Sequence, residues 1–172
     1  MIYLSRYRTP LGTLILGATE SKLVLCDWST RHDSHAFISR IATNLHAAVT
    51  DGYNFLIATA EKQLDEYFSG RRRSFDMPLL LSGTPFQESV WHAIATIPYG
   101  ETTTYSDIAA AIGHPEAVRA VANAIGANRL SIILPCHRVT GCNNPGGYAG
   151  GIDIKQGLLL LEKSYNDRDS AE

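Results

Sequence analysis

The chain changes character at Thr84, and that change limits what it can fold into. Before it, Ile2-Tyr3-Leu4, Thr13 to Ala18 and Leu23 to Trp28 are short apolar runs. Pro10-Leu11-Gly12 and Glu20-Ser21-Lys22 punctuate them, the pattern of a β-meander. From Thr84 onward the apolar residues fall at helical spacing. Thr84-Pro85-Phe86-Gln87 is a capping box with proline at the first helical position, and Phe86, Val90, Trp91 and Ile94 share one face of the helix it starts. The expectation is an α/β (α+β) chain. It has a small N-terminal sheet-and-helix domain over 1–75, a connection over 76–83 and a mainly helical domain with a helix-turn-helix over 84–172.

Within the first part, residues 29–50 show no firm period, with room for a helix around Ala36 to Leu45. Leu56, Ala60, Leu64 and Phe68 recur every fourth residue, so an amphipathic helix runs from about Asn54 to Phe68 and stops at Gly70 in the C′ position. Arg71-Arg72-Arg73 reads as a solvated charge run, with a phosphate contact as the alternative.

In the second part, Ile97-Pro98-Tyr99-Gly100 ends the first helix in a tight turn. Thr104 caps a helix from Tyr105 to Ile112, with Asp107 favouring its positive end. Gly113 stops it, and Pro115 opens another helix to Ile125. Two short helices joined through Gly-His-Pro have the length of a helix-turn-helix. Val118, Val121 and Ile125 face inward on the second. Its other side presents Arg119, Ala120, Asn123 and Ala127, with Glu116 nearby. Alanine is also simply a good helix former. Yet a low face with one long cation suits close approach to a groove and insertion of that side chain. Asp153 with Gln156 predicts a capping box for a last helix, with Leu158 to Leu161 turned inward, Glu162 near its end and residues 165–172 frayed.

The chemistry concentrates in Ile132-Ile133-Leu134-Pro135-Cys136-His137-Arg138-Val139. The apolar run reads as a short buried strand ended by proline, which fixes the point where Cys136 emerges. An isolated cysteine is usually an inert small hydrophobe. Neighbouring positive charge depresses a thiol's pKa, and the thiolate is the reactive form. After Val139, the Gly- and Asn-rich stretch from Thr140 to Gly151 forms a loop around the thiol, with Tyr148 in one wall of a pocket.

Composition sets limits. Cys26, Cys136 and Cys142 make an odd count without CxxC spacing, which argues against a disulfide framework or a four-cysteine metal site. No metal or cofactor is expected. A working thiol fits a reducing, cytoplasmic setting. The N-terminus lacks a signal-peptide pattern, and no run is long enough to span a membrane. Net charge is −2, and residues 84–172 carry six Lys/Arg against nine Asp/Glu, so any nucleic-acid binding must rest on a local surface.

Pro-Cys-His-Arg-Val, preceded by Ala127-Asn128 and followed by Gly147-Tyr148-Ala149-Gly150-Gly151, resembles the active-site signature of the O6-methylguanine–DNA methyltransferases. Phe86-Gln87, Val90-Trp91, Ile97 to Gly100, Thr104-Tyr105, Val118 to Val121 and Lys155, Leu159 and Glu162 extend the resemblance across roughly 84–162. Residues 1–75 resemble that family's variable, ribonuclease H-like N-terminal domain only in general shape. The loop before Tyr148 is one residue shorter than is usual there, and Arg129 stands where many members have proline.

The resemblance implies direct-reversal DNA repair. An alkyl group passes irreversibly from O6 of guanine, with O4 of thymine as a further substrate, to Cys136 of a single-use protein. It implies that His137 draws the thiol proton through a water, that Glu162 orients His137 and that Asn128 braces the turn. Tyr105 would hydrogen-bond the base, and Arg119 would fill the space left in the duplex. Thr104, Ala120 and Asn123 would join Tyr105 and Arg119 against DNA, and Trp91, Gly147, Tyr148 and Ala149 would line the pocket. The expected partner is double-stranded DNA containing O6-alkylguanine, bound by a monomer, with a nucleoid or nuclear location. The alternatives are a lesion binder without transfer and a Cys-His-Glu thiol hydrolase or acyltransferase.

Overall fold

The computed structural model describes residues 1–171. They form two compact units, Met1–Ser82 and the remainder from Gly83.

In the first unit the three apolar runs become β1 (Ile2–Thr9), β2 (Gly12–Ala18) and β3 (Leu23–Trp28), paired antiparallel in that order. Every residue of β3 is buried, which is why its sequence lacks the polar alternation of a half-solvated strand. The helix expected near Ala36 is α1 (Ser34–Asn44), whose Phe37, Ile38 and Ile41 pack against Ile2, Val24 and Leu25. A short β4 (Val49–Asp51) then joins the free edge of β1 in parallel, completing the order β3-β2-β1-β4. α2 (Phe55–Phe68) is capped by Asn54, whose side chain accepts from the Ile57 amide at 3.0 Å, and it lies against β1 and β2. It ends at Gly70, which has φ +75°. Arg71 and Arg72 reach local partners, Ser69 and Glu66, the latter at 2.6 Å.

The stretch 76–83 is more than a connection. The Leu23 amide donates to Pro78 O at 2.9 Å and the Leu80 amide to Leu23 O at 2.8 Å, while Met77 is buried.

The second unit begins with the expected capping box. The Gln87 amide donates to Thr84 Oγ1 at 3.2 Å and the Thr84 amide to Gln87 Oε1 at 2.9 Å, starting α3 (Pro85–Ala95). A second capping box joins Thr104 and Asp107 and starts α4 (Tyr105–Ala111). α5 (Val118–Gly126) packs on α3 and α4, and α6 (Ile152–Asp169) runs past the turn that carries Cys136. A two-residue parallel ladder links β5 (Thr103–Thr104) to β6 (Val139–Thr140).

Several expectations need correction. The second helix of the helix-turn-helix starts at Val118, not Pro115; Pro115 lies in a turn closed by the Ala117 amide on His114 O at 2.9 Å. Ile132 to Leu134 is not a strand but a tight turn. The Leu134 amide donates back to Leu130 O at 2.8 Å, and Ile132 sits at φ +71°. An apolar β-branched run signals burial as much as extension, and here burial was its message. Asp153 caps nothing: α6 starts after Gly151 without a side-chain cap. Of Leu158 to Leu161 only Leu158 is fully buried, and Leu160 is 70% exposed. The expected frayed end is helical as far as Asp169.

Candidate active site

The thiol is positioned by three successive tight turns. Pro135, at φ −79° and ψ 61°, is the centre of an inverse γ-turn in which the Cys136 amide donates to Leu134 O at 2.7 Å. Cys136, His137 and Arg138 then form a 3-10 turn, and β6 follows directly. Ile132 holds a left-handed conformation that a β-branched residue adopts only under constraint, and burial on all sides supplies it.

Asn128, just after α5, ties this turn together. Its Nδ2 donates to Leu134 O at 3.1 Å and to Cys136 Sγ at 3.2 Å, while its Oδ1 accepts from the Leu130 amide at 2.9 Å. Cys136 is 6% exposed.

His137 and Glu162 have no exposed surface, and His137 Nε2 lies 2.7 Å from Glu162 Oε1. Burial holds the imidazole pKa below its ordinary value; the Glu162 contact acts against this, while Arg138 and Lys155 add to it. Glu162 is drawn down to about 2: burial opposes the carboxylate, but its contacts with His137 and Arg138 outweigh that cost. His137 Nδ1 has no hydrogen-bond partner among the described residues.

Arg138 is part of the same cluster. Its Nε and Nη2 each reach a Glu162 oxygen at 2.9 Å, its Nη1 donates to Ile97 O at 2.7 Å, and it stacks over the Tyr99 ring. The Gly100 amide adds a fourth donor to Glu162 at 3.1 Å. The Ile97 to Gly100 turn, expected only to end a helix, therefore braces the buried carboxylate.

Lys155 is fully buried and donates to Val139 O at 2.6 Å and Gly147 O at 3.1 Å. Burial brings its ammonium pKa down to about 8. The sequence offered it only as part of a signature; a lysine four residues into a helix gives no sign that it turns inward.

Tyr105 stands immediately after β5, and Cys136 precedes β6 by three residues, so the small ladder fixes one against the other. The Tyr105 hydroxyl accepts from the Gly147 backbone, and burial raises its pKa. Gly146, at φ +71°, lies so close that a Cβ there would be 2.5 Å from the Tyr105 hydroxyl. Tyr148 is half-buried, while Gly147 and Ala149 are exposed in the loop.

Arg119, Ala120 and Asn123 are exposed together on α5, and Thr104 is half-buried at the start of α4. Trp91 lies on the buried face of α3, as its spacing with Val90 and Ile94 predicts. Its indole donates to Ala124 O at 2.8 Å and packs beneath Gly83, which makes it a core residue joining α3 to α5. No cluster of His, Cys, Asp and Glu able to hold a metal ion occurs among the described residues. None of their helices is long and apolar enough to cross a membrane.

Comparison with known proteins finds likeness across nearly the full length. Residues 85–164 match the family model of the 6-O-methylguanine DNA methyltransferase DNA-binding domain, and residues 2–81 match that of its ribonuclease-like domain. The chain belongs to the 6-O-methylguanine DNA methyltransferase family. It is 42% identical over 171 residues to the constitutive methylated-DNA–protein-cysteine methyltransferase of Bacillus subtilis, covering 98% of this chain and 100% of that protein. A Methanosarcina acetivorans relative of the same activity is 40% identical over 167 residues, 95% of this chain and 99% of its own. The crystal structure of Mycobacterium tuberculosis O6-methylguanine methyltransferase superposes with a TM-score of 0.80 at 40% identity, covering 96% of this chain and 94% of that one. A structure of the M. tuberculosis protein in complex with DNA gives the same score, covering 95% and 94%. The family's activity, methyl transfer from DNA to a protein cysteine, is repair by direct reversal, and the α+β architecture of this chain is the family's own.

Proposed function

We propose that this protein removes alkyl groups from O6 of guanine in double-stranded DNA by transferring them to its own Cys136. The observation that carries the assignment is the buried chain Asn128–Cys136, with His137 and Glu162 behind it, in the unit that exposes Arg119 on α5. A thiol with 6% exposure cannot reach an atom inside a stacked duplex. The damaged nucleotide must come to it, at a cost of a few kcal/mol for unstacking.

Arg119 enters the vacated space from the low face made by Ala120 and Asn123, offsetting part of that cost. The base is received beside Tyr105, Tyr148 and the loop containing Gly147 and Ala149. His137 takes the thiol proton through a water. The thiolate then attacks the alkyl carbon: a carbon–sulfur bond forms, the carbon–O6 bond breaks, and its electron pair passes into the guanine ring. Tyr105 donates a hydrogen bond or proton at the ring as that charge develops. Its raised pKa keeps it a donor at neutral pH.

The product is a thioether that water does not cleave, so each molecule works once. An acyl-transfer reading finds no support at the thiol. Pro135 has no amide hydrogen, and the Cys136 amide is already bonded to Leu134 O, which leaves these two positions without an oxyanion donor. The test is stoichiometry on duplex DNA labelled at the alkyl group. Transfer should rise to one equivalent of protein and stop; continued turnover, or label remaining on DNA, would contradict the assignment.

A further inference from the structure

Glu162 accepts four hydrogen bonds, and this number constrains its neighbour. Oε1 takes His137 Nε2 at 2.7 Å and Arg138 Nη2 at 2.9 Å, and Oε2 takes Arg138 Nε at 2.9 Å and the Gly100 amide at 3.1 Å. A carboxylate engaged this way cannot carry a proton without losing a donor, so it acts as an acceptor on both oxygens. His137 Nε2 must then be the ring's N–H, and Nδ1 its lone pair. Nδ1 has no protein partner among the described residues, which leaves its lone pair for the water that relays the thiol proton.

We infer that Arg138 is a positioning residue for alkyl transfer: by filling both oxygens of Glu162 it fixes the tautomer of His137 and keeps the ring neutral, ready to take the thiol proton. This rests on the assignment of Cys136 as acceptor and His137 as its base.

Charge arithmetic gives the same result. The charged groups acting on the ring are Glu162 and Lys155 from α6 and Arg138 from its own turn, and Cys136 is its titratable chain neighbour. Tyr99, from the turn after α3, lies under Arg138. Arg138 already balances Glu162, so a proton on His137 would add an uncompensated charge to a buried cluster. With Arg138 gone, the charge of Glu162 would stand unbalanced beside His137 and hold the ring as a cation, which cannot accept a proton. Lysine cannot substitute fully, since a point charge does not span both carboxylate oxygens and Ile97 O as the guanidinium fork does.

The test measures single-turnover transfer to methylated duplex across pH 5–9, per folded molecule, for wild type, Arg138→Met and Arg138→Lys. In Arg138→Met the acid limb should move up by about one pH unit or more, roughly a tenfold larger rate loss at pH 6 than at pH 8.5. Arg138→Lys should bring the limb most of the way back while remaining slower at every pH. A rate loss by one constant factor at all pH values in Arg138→Met would overturn the proposal and leave Arg138 a packing residue. Nitrogen NMR of the His137 ring in the wild type decides the matter even if the variants fold poorly. A neutral ring protonated at Nε2 at pH 7 supports the proposal; an Nδ1–H tautomer or an imidazolium overturns it. If wild-type Cys136 gained no alkyl group, the acceptor assignment would fail, while the NMR result would still judge the role of Arg138 on the ring.

Discussion

The Asn128 side-chain amide donates to Cys136 Sγ at 3.2 Å while its carbonyl oxygen accepts from the Leu130 amide at 2.9 Å. One side chain thus fixes both the sulfur and the turn that presents it. Asn128→Ala leaves the buried Leu130 amide without that acceptor, a loss of about 1–3 kcal/mol. Transfer should slow by more than about tenfold, beyond what partial unfolding explains. Urea titration and single-turnover kinetics on the same preparation check it; an unchanged rate would remove Asn128 from the site.

Stability should fall on acidification in two stages. His137 is held below its ordinary pKa of 6.5, so the unfolded chain binds its proton first. Its contribution is complete above pH 6.5 and is lost as pH falls below that value. Glu162 is lowered from 4.5 to about 2, so its contribution is lost across that lower window. Urea midpoints measured from pH 7.5 downward should decline first below 6.5. The His137→Gln variant should lack that first decline, and a wild type flat to pH 5 would contradict the assignment.

Arg119→Ala should slow repair of duplex DNA by about tenfold or more while leaving reaction with free O6-alkylguanine base nearly unchanged, because only the duplex must give up a stacked nucleotide. Parallel rate measurements on the two substrates decide it. Equal slowing of both would sink the insertion role.

Tyr105→Phe removes a hydroxyl that burial keeps protonated, and transfer should fall about tenfold or more. Gly146→Ala should mimic it from the loop side. The new Cβ would meet the Tyr105 hydroxyl at 2.5 Å, on a backbone at φ +71° that also resists a side chain. Gly146 lies in an irregular loop, so its variant should lose rate out of proportion to stability. Full activity of Gly146→Ala would show that the loop does not hold Tyr105.

What the sequence disclosed follows local physics. The capping boxes at Thr84 and Thr104 and the period of α2 are written in residues three and four apart, and they fold as read. β4 was not legible, because Val49 to Asp51 is a strand only through its pairing with β1, more than forty residues earlier. The Ile132 turn misled because hydrophobicity reports burial and not φ. Cys136, His137, Asn128 and Glu162 could be named from the family signature, and the structure brings them together. The second side of the cluster could not. Ile97 O and the Gly100 amide are backbone groups, invisible to any side-chain motif, yet they hold Arg138 and Glu162.

The most direct test is peptide mass spectrometry of the protein after incubation with methylated duplex DNA, alongside Cys136→Ala. One added methyl group on the peptide containing Cys136, and none anywhere in the variant, is the expected result. Methyl uptake by Cys136→Ala, or a methyl group found on Cys26 or Cys142 instead, would contradict it.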